Sequence, residues 1–251
     1  MMIPQFTLPN DHTRKIALRE ATVEDLIDFA EIDPQMEELA TTQFLTRLQA
    51  KDAFSDPADW SADSRRFALF WYWLHTSTDV DIPLSYDCTH CGEKHTFLQD
   101  GRALANEYNS SSKSTVEIVF DKKKVTVRPH NGRDMELSEG ERLEIAMGKD
   151  EGHKRKLTAR MRFLYYSRVM QIEGMEEAGK EAYLHRLNVT DFKVLAAKVN
   201  GALESLSHGL NSTIIEGRIY LLTPAHECPN RKGVTTRIRV FFRPLDYIPQ
   251  L

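Results

Sequence analysis

Cysteine is scarce in this chain. Three cysteines among 251 residues, an odd number, build no disulfide framework, and a chain of this length does not need one. Long hydrophobic runs are missing as well. The most apolar stretch, FALFWYWL at 67–74, is far too short to cross a bilayer. The opening MMIPQFTLPNDHTRK lacks a basic start followed by an apolar run, so no signal peptide is expected. There is no Gly-rich phosphate loop, no His-Glu-x-x-His and no Gly-x-Ser-x-Gly elbow, which removes the local signatures of three large enzyme classes. No long-period repeat occurs, and the polar run NSSSKS (109–114) is the one stretch that reads as a joint between two parts. Excess charge is absent too. With 33 Lys and Arg against 37 Asp and Glu the formal net charge is −4, which argues against dedicated nucleic-acid binding and leaves room only for local basic patches. These absences point to a soluble protein in a reducing cytoplasm, where paired cysteines hold metal more often than they form disulfides.

What is present suffices for a core: 41% of residues are hydrophobic and 28% charged. Thr22 and Asp25 form a near capping box ahead of an amphipathic helix over 18–32. A second helix is predicted over 36–50. A third, over 56–77, carries Phe67, Phe70, Trp71 and Leu74 at helical spacing, with Tyr72 and Trp73 widening the apolar surface nearly all round. Alternation predicts hairpins over 82–98 and 114–130, the latter turning at DKKK. Ser138 and Glu141 suggest a capping box for a helix over 138–147, followed by an exposed loop or helix entry at 148–156. Further helices are expected over 157–174, stopped by Gly174, in GKEAYLHRLN, and over 189–209, capped by Thr190 and ended by Gly209. Strand character returns at 216–228 and 233–245, around the turn CPNRKG.

The chemistry concentrates in SYDCTHCGEKHTF (85–97). Cys88 and Cys91 sit at a hairpin tip, and HECPNRKG (226–233) repeats the knuckle shape with one cysteine, Cys228. Two such knuckles facing each other form a zinc ribbon, in which divalent metal neutralises thiolates that would otherwise repel. The cysteine count is one short, since Arg231 stands where a second Cys-x-x-Cys would end. The expected ligands are Cys88, Cys91, Cys228 and His226, with His95 as the alternative fourth ligand and His90 further behind. A metal-free relic with Arg231 filling the gap is a second reading. A redox pair is a third, disfavoured because redox Cys-x-x-Cys motifs open a helix rather than cap a hairpin. The basic run GHKRKLTARMR (152–162) reads as a solvated helix face or a partner contact before it reads as a phosphate grip.

The order of motifs resembles a family. KIALREATVEDL, an aromatic helix after DWSADSRR, LSYDCTHCGEKHTF, VTVRPHNGRD and VMQIEG follow one another as in the T4-type baseplate hub assembly proteins of contractile-tailed bacteriophages. The matching positions are Leu18-Arg19 with Thr22 and Asp25, Cys88 and Cys91, Val125–Asp134, and Met170–Gly174. The likeness covers about residues 15–175 and rests on the ordered set, each motif being short. It implies a non-enzymatic assembly factor or minor tail component in the host cell cytoplasm or the virion tail. Its expected partners are baseplate or tail hub proteins, with self-association as a further expectation and no membrane contact. The expected fold is α+β, with 1–81 helical, 82–133 carrying the hairpins, 134–215 helical and 216–251 a C-terminal hairpin. Both helical stretches should pack on the aromatic helix, and hairpin 82–98 should meet the C-terminal one at the cysteines. Two rivals stand beside the assembly reading: a zinc-ribbon nucleic-acid module using 152–162 and 231–239, and a metal-dependent hydrolase with an open coordination position.

Overall fold

The computed structural model describes residues 3–51, 54–111, 113–215 and 218–250. The strand predicted from 216 therefore begins on residues outside this set, as does Ser112 in the polar run. Eight α-helices and several small antiparallel sheets make an α+β chain among the described residues. None of those helices is long and apolar enough to cross a membrane.

The chain opens with a hairpin that the sequence pattern hides, β1 (Phe6–Leu8) and β2 (Asp11–Ile16). Its second strand exposes a run of polar residues and buries only Ile16, so no alternation shows. Helix α1 (Val23–Ala30) has the expected capping box: Thr22 Oγ1 accepts from the Asp25 amide and Asp25 accepts from the Thr22 amide. The Asp25 carboxylate is buried and takes two guanidinium groups, Arg19 at 2.6 Å and Arg47 at 2.8 Å. The Arg19 hydrogen bond, opposed by burial and joined by the Thr22 amide and Arg47, holds the carboxyl well below the usual range. Replacing Asp25 with alanine removes the carboxylate half of the capping box and both ion pairs together, leaving the Thr22 hydroxyl on the residue-25 amide, and is expected to cost about 2–4 kcal/mol. A depressed carboxylate stabilises fully above its unfolded value of about 4 and less as pH falls below it. Urea unfolding of wild type and variant should therefore differ in full at about pH 7, and the gap should begin to narrow only as pH falls below about 4, most of it still being present at about pH 3 because the folded-state carboxyl lies well below that.

Helix α2 (Glu37–Leu48) buries Phe44, Leu45 and Leu48 against α3 (Ala62–Thr76). The predicted helix 56–77 is interrupted, because Pro57–Asp59 forms a 3-10 turn and the α-helix starts only after Ser61, whose hydroxyl caps Ser64. Phe67, Leu69, Phe70 and Tyr72 are buried, and Phe44 meets Tyr72 edge-on at 4.9 Å. The hairpin β3 (Asp81–Asp87) and β4 (Lys94–Asp100) follows, then α4 (Gly101–Asn106). Strands β5 (Val116–Phe120) and β6 (Lys123–Val127) turn on Asp121 and Lys122 alone, both at positive φ (49° and 59°), the geometry of a two-residue hairpin turn. Lys123 and Lys124, expected in that turn, belong to β6.

Helix α5 (Gly132–Ala146) starts six residues before Ser138. Its capping box is Asn131 with Asp134, not Ser138 with Glu141. Ser138 sits mid-helix and donates back to the Asp134 carbonyl, and Glu141 instead binds Arg168. The segment 148–156 is mostly helix, the start of α6 (Glu151–Val169). That helix does not run to Gly174: residues 170–172 form β7 (Met170–Ile172), which adds to β6. Helices α7 (Glu177–Arg186) and α8 (Val189–Ser205) follow, the latter capped by Asn188 rather than Thr190 and ending before Gly209. The chain closes with β8 (Ser212–Ile215), β9 (Arg218–Leu222), β10 (His226–Glu227), β11 (Thr235–Thr236), β12 (Arg239–Phe241) and a 3-10 turn at Pro244–Tyr247.

Packing around a single aromatic helix is not what the molecule does. One core gathers α2, α3, the N-terminal hairpin and the C-terminal segment, from Ile3 to Ala105 and again from Leu210 to Ile248. A second core joins the β5–β6–β7 sheet to α7 and α8 through Val125, Val127, Ile172, Leu184, Leu195 and Val199. In the second core Lys180 is buried, and its ammonium donates to the carbonyls of Ser167 and Met170 at the end of α6 while pairing with Glu177. The C-terminal strands thus return to the N-terminal core, and this return brings the cysteines together.

Candidate metal centre

Two turns face each other. In the first, the amide of Cys88 donates to the Glu93 carbonyl, the amide of Gly92 donates to the Cys88 carbonyl, and Gly92 takes φ +77°. In the second, the amide of Cys228 donates to the Val234 carbonyl, Arg231 donates to the Cys228 carbonyl, and Gly233 takes φ +78°. Both glycines occupy the left-handed region that lets a chain double back after a metal-binding cysteine. Polar contacts lock the turns to each other. Asn230 donates to the Glu93 carboxylate at 2.6 Å, and His90 Nε2 lies 3.3 Å from the Thr235 carbonyl.

Donor atoms of Cys88, Cys91, His95 and Cys228 all lie within 4.8 Å of one another. The sulfurs of Cys88 and Cys228 are 3.6 Å apart and buried, and Cys91 Sγ is 3.1 Å from His95 Nε2. Two cysteines from the β3–β4 hairpin and one from the C-terminal strands, far apart in sequence, converge as the knuckle pattern predicts. The histidine that joins them is His95, the alternative, and not His226. Pleat explains the choice: His95 pairs with Tyr86 and shares the inward face of β4 with Phe97. His226 is paired with Thr236, and its ring lies flat on Phe97 at 4.5 Å and edge-on to Tyr86 at 6.2 Å. It walls the site. Arg231 does not fill a gap; its side chain is exposed.

The electrostatics favour a cation here. Amides of Cys91 and His90 draw the Cys88 thiol below its ordinary value despite burial. The Glu93 amide pulls Cys91 the same way, but burial and the sulfurs of Cys88 and Cys228 leave that thiol raised. Three thiolates cannot all carry charge at this spacing without a positive ion among them. Tyr86, not singled out by the sequence, has a buried hydroxyl with no hydrogen-bond partner among the described residues, and burial and then the nearby thiols push its ionisation upward. Its place opposite His95 in the hairpin register was the only signal that could have flagged it.

A second polar constellation sits apart from the cysteines. Ser61 Oγ is 2.6 Å from His208 Nε2, and His208 Nδ1 is 2.7 Å from the Leu206 carbonyl, with Asp63 at 3.9 Å. With Nδ1–H given to Leu206, Nε2 accepts the serine proton. Ser61 and His208 are both buried, so the pair fastens the start of α3 to the end of α8. No family model, curated protein or solved structure matches this chain.

Proposed function

We propose that the chain is a tail baseplate hub assembly factor, or a minor component of the baseplate, in a contractile-tailed bacteriophage. In this reading it works by binding other tail proteins, and a structural zinc ion at Cys88, Cys91, His95 and Cys228 clamps the β3–β4 hairpin to the C-terminal strands. The observation that carries the reading is where the residues of the motif series lie. Arg19, Thr22 and Asp25 form the buried network that fixes α1. Gly132, Arg133 and Asp134 fix the start of α5: Arg133 bridges Asp56 and Asp59, and Asp134 binds Arg128 and the Asn131 amide. Met170–Ile172 is the strand that completes the second sheet. An ordered set of short motifs has weight when each holds a separate joint of the fold, as these do.

For zinc, the donor set of three thiolates and one imidazole suits a closed structural site. Around a tetrahedral zinc, neighbouring sulfurs stand about 3.8 Å apart, from bonds of about 2.3 Å. The Cys88–Cys228 separation of 3.6 Å is close to that. Four protein donors leave no open position for a catalytic water, which supports a clamp over a hydrolase. The nucleic-acid alternative would use 152–162 and 231–239, and in the second of these Arg237 is already paired with Glu107. Steeply salt-dependent DNA or RNA binding is its test.

An affinity-tagged copy expressed during phage infection is expected to co-purify with hub and baseplate proteins, and deletion of the gene is expected to leave heads without working tails. Normal tails from the deletion phage, together with no recovered hub protein, would contradict the assembly role.

A further inference from the structure

Helices α5 and α6 form an antiparallel arm that takes little part in either core. Between residues 140 and 162 only Leu157 is buried. The exposed half of α6 presents Arg155, Lys156, Arg160 and Arg162, none with a carboxylate within ion-pair distance among the described residues. Lys156 and Arg160 are one turn apart and Arg155 and Arg162 two turns apart, so the four share a broad face. Met147, 78% exposed, lies at the tip where α5 turns into α6, and Leu137 is also exposed on α5.

A complementary surface lies at the other end of the sequence. From Glu20 to Glu38 the chain has eight acidic residues and no Lys or Arg. Asp25 and Asp28 are taken by Arg19 and Arg47, Glu37 by Arg243 and Glu38 by Arg65. Glu24, Glu31 and Asp33 are exposed and make no ion pair among the described residues. Along the same outer side of α1, Val23 and Ile27 stand one turn apart, 64% and 54% exposed. Buried Asp25, bound by Arg19 and Arg47, fixes the start of this helix and so the placement of the surface.

We infer that the chain associates head to tail with a second copy of itself. The basic α6 face and Met147 of one copy dock on the acidic, apolar-ridged face of α1 in the next. Each surface supplies what the other lacks: unpaired charge of opposite sign beside an exposed apolar contact. Because the two surfaces differ, the contact is heterologous. It closes a ring if the rotation allows and otherwise extends. The inference does not depend on the identity of the tail partners or on bound metal.

Analytical ultracentrifugation of the full chain over a concentration series tests it. Wild type is expected to self-associate at about 0.05 M salt and to dissociate toward about 0.5 M. Arg155→Glu with Arg162→Glu should abolish association, and so should Glu24→Lys with Glu31→Lys. All four side chains are exposed and free of ion pairs among the described residues, so both proteins should keep the wild-type circular dichroism; the Glu24→Lys variant should lose a few degrees of melting temperature, because Glu24 lies in the first turn of α1 and its charge acts favourably on Arg47, while remaining folded at the assay temperature. Mixing the two variants should restore association, since each then offers the face the other needs. A wild type that stays monomeric up to its solubility limit overturns the inference, as does association that both variants retain. Failure of the mixture to associate, or a monomer that instead binds DNA through the α6 face, overturns it too.

Discussion

Substituting Cys228 with serine is expected to strip the chain of stoichiometric zinc and free its C-terminal knuckle from the β3–β4 hairpin. Cys228 is the only sulfur that joins the far end of the sequence to Cys88 and Cys91, and its sulfur is 3.6 Å from that of Cys88. Loss of a direct ligand should exceed the roughly 10–100-fold that changes in the surrounding shell cost. With free zinc a thousandfold above Kd, the wild-type site contributes about 4 kcal/mol of stability that the variant lacks. The fold should survive, because Leu221, Val240 and Phe242 remain in the first core without help from the metal. The damage should be local, seen as new proteolytic cleavage between 226 and 236 and a lower melting temperature. His95→Ala should behave like Cys228→Ser in metal analysis. His226→Ala should retain zinc, because that ring only stacks on Phe97.

Gly132→Ala is expected to be the most damaging change outside the metal centre. A Cβ at 132 would stand 2.8 Å from the Cα of Ala58 and collide with the guanidinium of Arg65. Neither neighbour can give way. Ala58 is backbone, held in the 3-10 turn, and the Gly132 amide donates to the Trp60 carbonyl beside it. Arg65 is buried, bound to the Glu38 carbonyl at 2.6 Å, to Thr42 at 2.8 Å and to the Glu38 carboxylate at 3.2 Å. Displacing it uncouples a buried charge from its partners. The expected cost is about 3 kcal/mol or more, a drop of about 10 °C in Tm. Scanning calorimetry reads it directly. A Gly132→Ala protein melting within a degree or two of wild type would show that α5 can shift away, contrary to the packing described.

Much of this was legible in the sequence because the signals were local. The Thr22–Asp25 box, the alternating β3–β4 and β5–β6 hairpins and the Cys-x-x-Cys tip each declare themselves within a dozen residues. The parts that stayed hidden depend on contacts from elsewhere in the chain. Ser138 and Glu141 imitate a capping box, but Glu141 is bound to Arg168 from α6 and the true box lies in HNGRD, where Asn131 and Asp134 look like turn residues. Met170 and Ile172 continue the apolar spacing of α6, and only pairing with Val127 and Val125 makes them a strand. The fourth donor was open between His95 and His226 because spacing treats them alike. The pleat of β4 and the stacking of His226 on Phe97 separate them. The polar run at 109–114 marks a joint in the sequence between Ala105 of the first core and Val116 beside the second, but sequence order does not say that the C-terminal strands rejoin the first.

In the proposed clamp, one ion held by three thiolates and one imidazole joins the β3–β4 hairpin to the C-terminal strands. X-ray absorption at the zinc edge on purified protein tests it most directly. One zinc per chain is expected, with three sulfur scatterers at about 2.3 Å and one nitrogen at about 2.0 Å, the nitrogen disappearing in His95→Ala. A chain that binds no zinc, or a first shell with fewer than three sulfurs, would contradict it.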